Sequence, residues 1–276
     1  MKLLLNLIGA FFVAMLVWSF GAGLYSFITE PPKEDVVHEF HREPLDISYP
    51  SEGPFGTFDK AQLQRGLKVF REVCAACHSL NQVTFRSLTD LGYSEDQVKT
   101  IAAEWPIETP SINPDTGEAA TRPPLPIDHF PAPYPNDVAA RAANNNAVPP
   151  DLSLITKARE GGAEYVDSLL RGYRPVPADL PEVNRPTSRL HYNPWFANLN
   201  IAMPPLLTSD GQVTYDDGTA STVEQMSKDV SAFLIWTAEP KLSARKQTGW
   251  AVILFLIFAT ALGYMAYRNI WIDQKH

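Results

Sequence analysis

The chain is poor in cysteine, in positive charge and in repeated segments. Cys74 and Cys77 are its only two cysteines in 276 residues, and no second Cys/His pair at similar spacing accompanies them. A structural zinc site with four ligands is therefore disfavoured, and no βαβ pattern supports a thioredoxin-like redox pair. The formal net charge of −8 argues against nucleic acid or an anionic membrane surface as a partner and favours a basic one. The 24 prolines predict long ordered loops.

The two cysteines belong to the stretch Cys74-Ala75-Ala76-Cys77-His78. Two thiols three positions apart, followed at once by an imidazole, have the spacing that attaches a c-type haem. The two sulfurs add across the haem vinyl groups, and the next residue, His78, reaches the iron as the proximal ligand. The sequence therefore predicts one covalently bound haem c, with Cys74 and Cys77 as its thioether links.

The sixth iron ligand is predicted to be Met203, in Ile201-Ala202-Met203-Pro204-Pro205. The other methionines lie in the terminal apolar runs or, at Met226, on a helix face where a core role is expected. Two prolines stiffen the loop after Met203, and His/Met ligation raises the potential and leaves no vacancy for O₂. His129 and His191 remain alternative ligands. The 125 positions from His78 to Met203 imply long inserted loops and helices around the haem.

Both ends of the chain are apolar. Residues 3–28 form a run that reads as an uncleaved transmembrane anchor or a signal segment, so we assign residues 1–29 to it. At the other end, the 18 residues Trp250 to Tyr267 span roughly 27 Å as a helix, close to the thickness of a hydrocarbon core. We therefore expect a C-terminal transmembrane helix over residues 249–269.

The orientation follows from the haem prediction. Haem is attached outside the cytoplasm in bacteria, so residues 30–248 are expected to form an exported, periplasmic domain on the inner membrane. Both termini, including a tail over residues 270–276, are then cytoplasmic. Lys2, Arg268 and Lys275 agree with the positive-inside tendency, whereas Arg245 and Lys246 disagree with it.

Two helices are predicted to cross inside the exported domain. A stripe from Leu63 to Cys74, capped by Asp59, predicts the first helix, and Ser221 with Glu224 predicts the start of a second that ends before Pro240. Gly66 lies beside the first stripe, where it is either tolerated or required by a crossing helix. Further helices are expected over residues 151–159 and 164–171, and a short hairpin over residues 212–218.

These residues resemble the cytochrome c1 family, the haem subunit of ubiquinol–cytochrome c reductase. The resemblance covers residues 53–268 and rests on seven segments, which together are far more specific than the CxxCH stretch alone. They are GPFG (53–56), VCAACH (73–78), ARAANN (140–145), PPDLS (149–153), YNP (192–194), IAMPP (201–205) and AEP (238–240). Leu206 stands where many relatives have a third proline, an extra Cys pair of some members is absent, and the N-terminal run looks retained.

The resemblance implies a mostly α fold, with a class I cytochrome c-like haem domain, long loop insertions and one or two membrane helices. It implies Cys74 and Cys77 as thioether links, His78 and Met203 as axial ligands, and Arg141 near the haem propionates. The implied role is a one-electron relay from a Rieske iron–sulfur subunit to a soluble cytochrome c, beside cytochrome b and in contact with membrane lipid. The chain is then an electron-transfer subunit and no enzyme on its own.

Two acidic groups are candidate docking sites for a basic cytochrome c, although a merely solvated surface would look the same. The first holds seven acidic residues against one basic residue, Lys99, and comprises Asp90, Glu95, Asp96, Glu104, Glu108, Asp115 and Glu118. The second comprises Asp210, Asp216, Asp217, Glu224 and Asp229. One rival function is a free-standing membrane-anchored electron shuttle. Another is a haem peroxidase or gas sensor, and both of these would need an open iron position.

Overall fold

The computed structural model describes residues 2–30 and 36–274, which form a mostly helical domain between two long apolar helices. Residues 31–35 of the predicted acidic lead-in, and Lys275 in the predicted tail, lie outside the described residues. The α-helices are α1 (Lys2–Thr29), α2 (Val36–Phe40), α3 (Lys60–Val69), α4 (Glu95–Ala103), α5 (Asp137–Ala143), α6 (Ile155–Ala158), α7 (Gly162–Leu170), α8 (Val223–Ala238) and α9 (Leu242–Trp271). Short 3-10 turns cover Phe85–Leu91 and Glu182–Asn184.

The predicted crossing of two helices is confirmed, and it explains Gly66. Helix α3 packs against α8, and a Cβ atom at position 66 would lie 2.1 Å from the carbonyl oxygen of Asp229 and 2.6 Å from Cβ of Phe233. Only glycine therefore fits at position 66 without a clash. Asp59 caps α3 as expected, by accepting hydrogen bonds from the N–H groups of Ala61 and Gln62.

The start of α8 differs from the prediction by one residue. Thr222, not Ser221, is the N-cap, because its backbone is extended and its hydroxyl accepts a hydrogen bond of 3.1 Å from the N–H of Gln225. Met226 is fully buried on this helix, as a core role requires. The predicted helix over residues 164–171 appears as α7, whereas only Ile155–Ala158 of residues 151–159 is helical.

The predicted hairpin over residues 212–218 is wrong, since the structure has no strand there. Val213 and Tyr215 instead point into the core from a loop. The strands that do form are antiparallel pairs elsewhere, β1 (Thr109–Ile112) with β2 (Ala119–Arg122), and β3 (His191–Tyr192) with β4 (Asn200–Ile201). Asn113 closes the turn after β1 by accepting a hydrogen bond of 2.9 Å from the N–H of Asp115.

The two terminal helices, α1 and α9, are each long and apolar enough to cross a membrane. Helix α9 begins at Leu242, whose side chain is buried in the domain, and ends at Trp271. The sequence predicts a boundary between the exported domain and the transmembrane helix at residues 248–249, and α9 runs across that boundary without a break. Only three residues connect it to α8, so the domain lies close to the point where α9 enters its apolar part.

Candidate functional site

The cysteine pair lies where helix α3 changes its winding. The helix continues from Val69 into a π-helical turn over Phe70–Cys74, in which the N–H of Ala75 donates to the carbonyl of Phe70 at 2.8 Å. The N–H groups of Cys77 and His78 then both donate to the carbonyl of Cys74, at 3.1 Å and 2.9 Å. Single π turns inside helices are frequent at functional sites. Here the turn ends the helix and folds both sulfurs and the imidazole into one compact loop.

His78 is held in the state that a metal ligand needs. Its imidazole is only 9% exposed, and Nδ1 lies 2.8 Å from the carbonyl oxygen of Pro150. A carbonyl oxygen can only accept, so Nδ1 carries the proton and Nε2 keeps its lone pair. Burial lowers the pKa of His78, which keeps the ring neutral. A carbonyl partner on the second nitrogen is the usual way in which proteins orient a histidine ligand.

The Pro150 carbonyl is itself fixed by the residues that follow it. The carboxylate of Asp151 accepts from the hydroxyl of Ser79 at 2.8 Å and from the N–H of Asn81 at 2.7 Å. Burial alone would raise the pKa of Asp151, but the hydrogen bonds that it accepts outweigh burial and lower the pKa. Asp151 thus ties the residues after His78 to the Pro149-Pro150 segment, and this explains why the predicted helix cannot begin at residue 151.

The two sulfurs have different surroundings. Cys74 and Cys77 do not form a disulfide with each other, and their role as thioether links stays a prediction. Cys74 is buried, and burial together with nearby Cys77 raises the pKa of its thiol to about 12. Reactive cysteines have lowered pKa values, so Cys74 does not resemble a redox thiol. Cys77 is half-buried and accepts a weak hydrogen bond of 3.9 Å from the hydroxyl of Tyr134, a neighbour that the sequence did not indicate.

Met203 follows strand β4 and is half-buried. Its carbonyl oxygen accepts a hydrogen bond of 2.9 Å from the hydroxyl of Tyr173. Tyr173 lies 30 positions away in the chain, so a distant segment fixes the backbone at Met203. Of the alternative ligands, His129 is exposed, whereas His191 on β3 packs edge-on against the ring of Tyr173 at 6.3 Å. His191 is thus a close neighbour of the Met203 loop, and Met203 stays a prediction as the sixth ligand.

Arg141 lies on an exposed face of α5, and its guanidinium donates to the carbonyl of Asn146 at 3.2 Å. It lines an open cavity of about 550 Å³ together with Arg189, a second cation that the sequence analysis did not single out. The cavity provides positive charge of the kind that carboxylates bind. The role of Arg141 at the haem propionates is not tested by these contacts and stays a prediction.

The donor set suits a haem of c type. A neutral imidazole with a free Nε2 follows two sulfurs in one loop, and the loop packs against the main hydrophobic core. Among the described residues, no group of three or more His, Cys, Asp and Glu side chains could hold a metal ion by itself. Fold and site together define a membrane-anchored, mostly helical haem protein of the electron-transport class.

Comparison with known proteins gives the family. The profile of the Cytochrome C1 family matches residues 49–274. Cytochrome c1 of Rhodospirillum rubrum is 46% identical over 236 residues, which cover 81% of this chain and 86% of that protein. "Cytochrome c1-2, heme protein, mitochondrial" of Solanum tuberosum is 43% identical over 249 residues, covering 90% and 92% of the two chains.

A third relative is longer than this chain. "Cytochrome b/c1" of Bradyrhizobium diazoefficiens is 46% identical over 246 residues, which cover 80% of this chain but only 34% of that protein.

The chain belongs to the cytochrome c1 family. The resemblance and the fold class predicted from the sequence are therefore confirmed. As a member of this family, the chain is a haem-carrying electron-transfer subunit of a bc1 complex, anchored to a membrane.

Proposed function

We propose that the chain relays single electrons from a Rieske iron–sulfur subunit to a soluble cytochrome c within ubiquinol–cytochrome c reductase, beside cytochrome b. The observation that carries the proposal is the buried His78, whose Nδ1 lies 2.8 Å from the Pro150 carbonyl oxygen, so that Nε2 is the nitrogen available to ligate iron. The chain is a relay and not a catalyst on its own. Its exported domain (30–248) faces the periplasm, and the tail (270–276) lies in the cytoplasm.

One covalently bound haem c supplies the one-electron chemistry, and the chain's residues tune and hold it. Cys74 and Cys77 would hold it through thioether bonds, while Arg141 would neutralise a propionate. His78 would bind iron from one side in a fixed ring orientation. Met203, whose backbone Tyr173 holds in place, would close the other side, so that the potential rises and O₂ finds no vacant position.

The contacts of the acidic residues favour one docking surface over the other. In the second acidic group, Asp229 is buried against Arg65, and Asp216, Asp217 and Glu224 pair with basic side chains of the domain. All seven acidic residues of the first group are exposed. Within the described residues, four of them (Glu95, Glu108, Asp115 and Glu118) form no ion pair in the domain. We therefore assign docking of a basic cytochrome c to the first group, which we name the acidic face.

The ligand assignment is tested by Met203→Leu, with Met226→Leu as the matched control. We expect Met203→Leu to abolish the near-infrared Met–iron band of the oxidised protein. The midpoint potential should fall by a sizeable part of the ~0.8 V range that axial ligands span. Met226→Leu should leave both unchanged, because Met226 is fully buried in helix α8. An unchanged potential in Met203→Leu would contradict the proposal. If the oxidised wild type lacks the Met–iron band and only His191→Ala changes the potential, the sixth ligand is His191.

Membership of the complex is tested by purification in a mild detergent. We expect the chain to co-purify with b-type haem and with an iron–sulfur subunit. A chain that elutes alone, with c-type haem only, would instead identify the free-standing electron shuttle.

A further inference from the structure

The turn over residues 51–56 makes an unusual contact with the membrane helix. The ring of Phe55 stacks on the indole of Trp250 in α9, with ring centroids 4.9 Å apart and ring planes inclined by 11°. Phe55 is nevertheless 77% exposed, and Trp250 is 38% exposed. Stacked rings that stay this open to their surroundings gain little from burial within the protein. We name residues 51–56 the interface turn.

Hydrogen bonds fasten the interface turn to α9 on its polar side. The ammonium group of Lys246 donates to the carbonyls of Ser51 and Gly53, at 2.5 Å and 2.6 Å. One helical turn further on, the indole N–H of Trp250 donates to the carbonyl of Pro54 at 3.2 Å. The backbone of the turn is thus bound to two successive turns of the helix, and Phe55 cannot move independently of α9.

The shape of the turn leaves Phe55 pointing outward. The N–H of Thr57 donates to the carbonyl of Pro50 at 3.0 Å, which closes the turn at its base. A Cβ atom at Gly56 would lie only 1.8 Å from the carbonyl oxygen of Glu52, so the chain reverses more tightly than any other residue type allows. The result is a fixed protrusion whose tip is an aromatic ring.

Trp250 marks the depth at which this protrusion lies. Residues 243–249 of α9 include Arg245, Lys246 and Gln247, whereas the apolar run of the helix begins at Trp250 and covers roughly 27 Å to Tyr267. When that run spans the hydrocarbon core, Trp250 lies at the membrane–water boundary, which is the level that tryptophan prefers. Phe55, stacked on Trp250, must lie at the same level.

We propose that the interface turn is a lipid-binding surface that rests in the interfacial zone of the bilayer, with Phe55 among the headgroups and upper acyl chains. Phe55 then anchors the domain to the membrane at a second point beside α9, and Lys246 and Trp250 hold the interface turn at that point. The domain is held in one orientation above the bilayer and does not swivel on a single helix. This inference requires that α9 crosses the membrane, but it is independent of the haem ligands and of the redox partners.

The test uses the full haem-loaded chain in phosphatidylcholine vesicles with an environment-sensitive fluorophore on a single introduced cysteine. Cys74 and Cys77 are bound to haem in this form, so the new thiol alone is labelled. Labels are placed at Phe55→Cys and, to retain the aromatic stack, at exposed Glu52→Cys. Phe258→Cys in the middle of the apolar run and Asp115→Cys at the polar β1–β2 turn give the membrane and water references. Lipid brominated near the headgroup end of an acyl chain is the quencher.

We expect brominated lipid to quench the label at position 55 about three-fold more than the label at position 115, with position 52 in between. Iodide in the water should quench position 115 more than position 55. Equal lipid quenching at positions 55 and 115 would overturn the proposal. Protection of position 55 from both lipid and iodide would also overturn it, since protein would then cover this position.

Discussion

The fold changes the protonation of Asp167 by burying its carboxyl group. Its side chain is fully buried on α7, and Arg171 is its ion-pair partner one turn away. One of its carboxylate oxygens has no hydrogen-bond partner in the described part of the chain. Burial raises the pKa of Asp167 to about 6, because the loss of solvation outweighs the attraction of Arg171. Position 167 therefore binds a proton more tightly in the folded protein than in the unfolded chain.

This gives a stability prediction with a definite sign. The stabilisation that comes from the raised pKa of Asp167 is fully present below pH 4. It is lost as the pH rises through about 6, because the carboxyl group ionises at lower pH in the unfolded chain than in the folded protein. The loss amounts to roughly 3 kcal/mol in the free energy of unfolding. Asp167→Asn should remove this pH dependence. The difference in free energy of unfolding between wild type and variant, measured by denaturant titration, should therefore change between pH 4 and pH 7.

Asp115→Asn is the control, since it removes the same formal charge from an exposed loop position. If the difference in free energy of unfolding between wild type and Asp167→Asn stays constant from pH 4 to pH 7, burial does not raise the pKa of this carboxyl group.

At the scale of elements, the crossing of α3 and α8 organises the domain. Beside the contact at Gly66, Arg65 of α3 donates from Nε to the carboxylate of Asp229 on α8 at 2.8 Å, and Gln225 donates to the same carboxylate at 2.8 Å. The side chain of Asp229 is fully buried, whereas that of Arg65 is 14% exposed. Removing the cation would strand a buried carboxylate between the two helices.

Arg65→Met should therefore lower the free energy of unfolding by about 3–5 kcal/mol. The matched control is Lys68→Met on the same helix, since Lys68 pairs with the side chain of Asp216, which is 86% exposed. Its cost should stay below about 1 kcal/mol, as for other surface ion pairs. Chemical denaturation of both variants measures the two costs. Equal losses would mean that burial of Asp229 does not decide the strength of its pairing.

At the scale of the whole molecule, charge is distributed unevenly over the surface. The acidic face includes Glu108 and Glu118, which directly precede strands β1 and β2, whereas most residues of the second acidic group pair with basic side chains of the domain. Uncompensated charge of one sign accelerates encounter with a partner of the opposite sign, and salt screens the effect.

We therefore expect the rate of electron transfer to a basic soluble cytochrome c to fall as ionic strength rises. Glu118→Lys should lower the second-order rate constant by roughly ten-fold at low ionic strength, as measured by stopped-flow spectroscopy. Asp216→Lys, which makes the same charge reversal beside Lys68, should lower it much less. A rate that ignores ionic strength, or an equal effect of the two variants, would show that the acidic face does not dock the partner.

Local spacing made several features predictable. The CxxCH stretch, the Asp59 cap and the apolar terminal runs all depend on residues close to one another in sequence. The sequence left open whether Gly66 is merely tolerated or required by a crossing helix, because that helix lies far away in the chain. The prediction of a hairpin over residues 212–218 was wrong because Val213 and Tyr215 point into the core from a loop. Their alternation with exposed residues imitates the pattern of a strand. The helix predicted over residues 151–159 forms only at Ile155–Ala158, because the carboxylate of Asp151 binds Ser79 and Asn81, far away in sequence.

By itself, then, the sequence determined the chemistry that depends on neighbouring residues: two sulfurs and an imidazole in one loop, and two runs long enough to cross a bilayer. Only the tertiary structure decided which carbonyl orients His78, that Asp229 is buried and not a docking charge, and that Phe55 lies on Trp250. These contacts join residues up to 195 positions apart. No local pattern encodes them, because they form only when packing brings distant segments of the chain together.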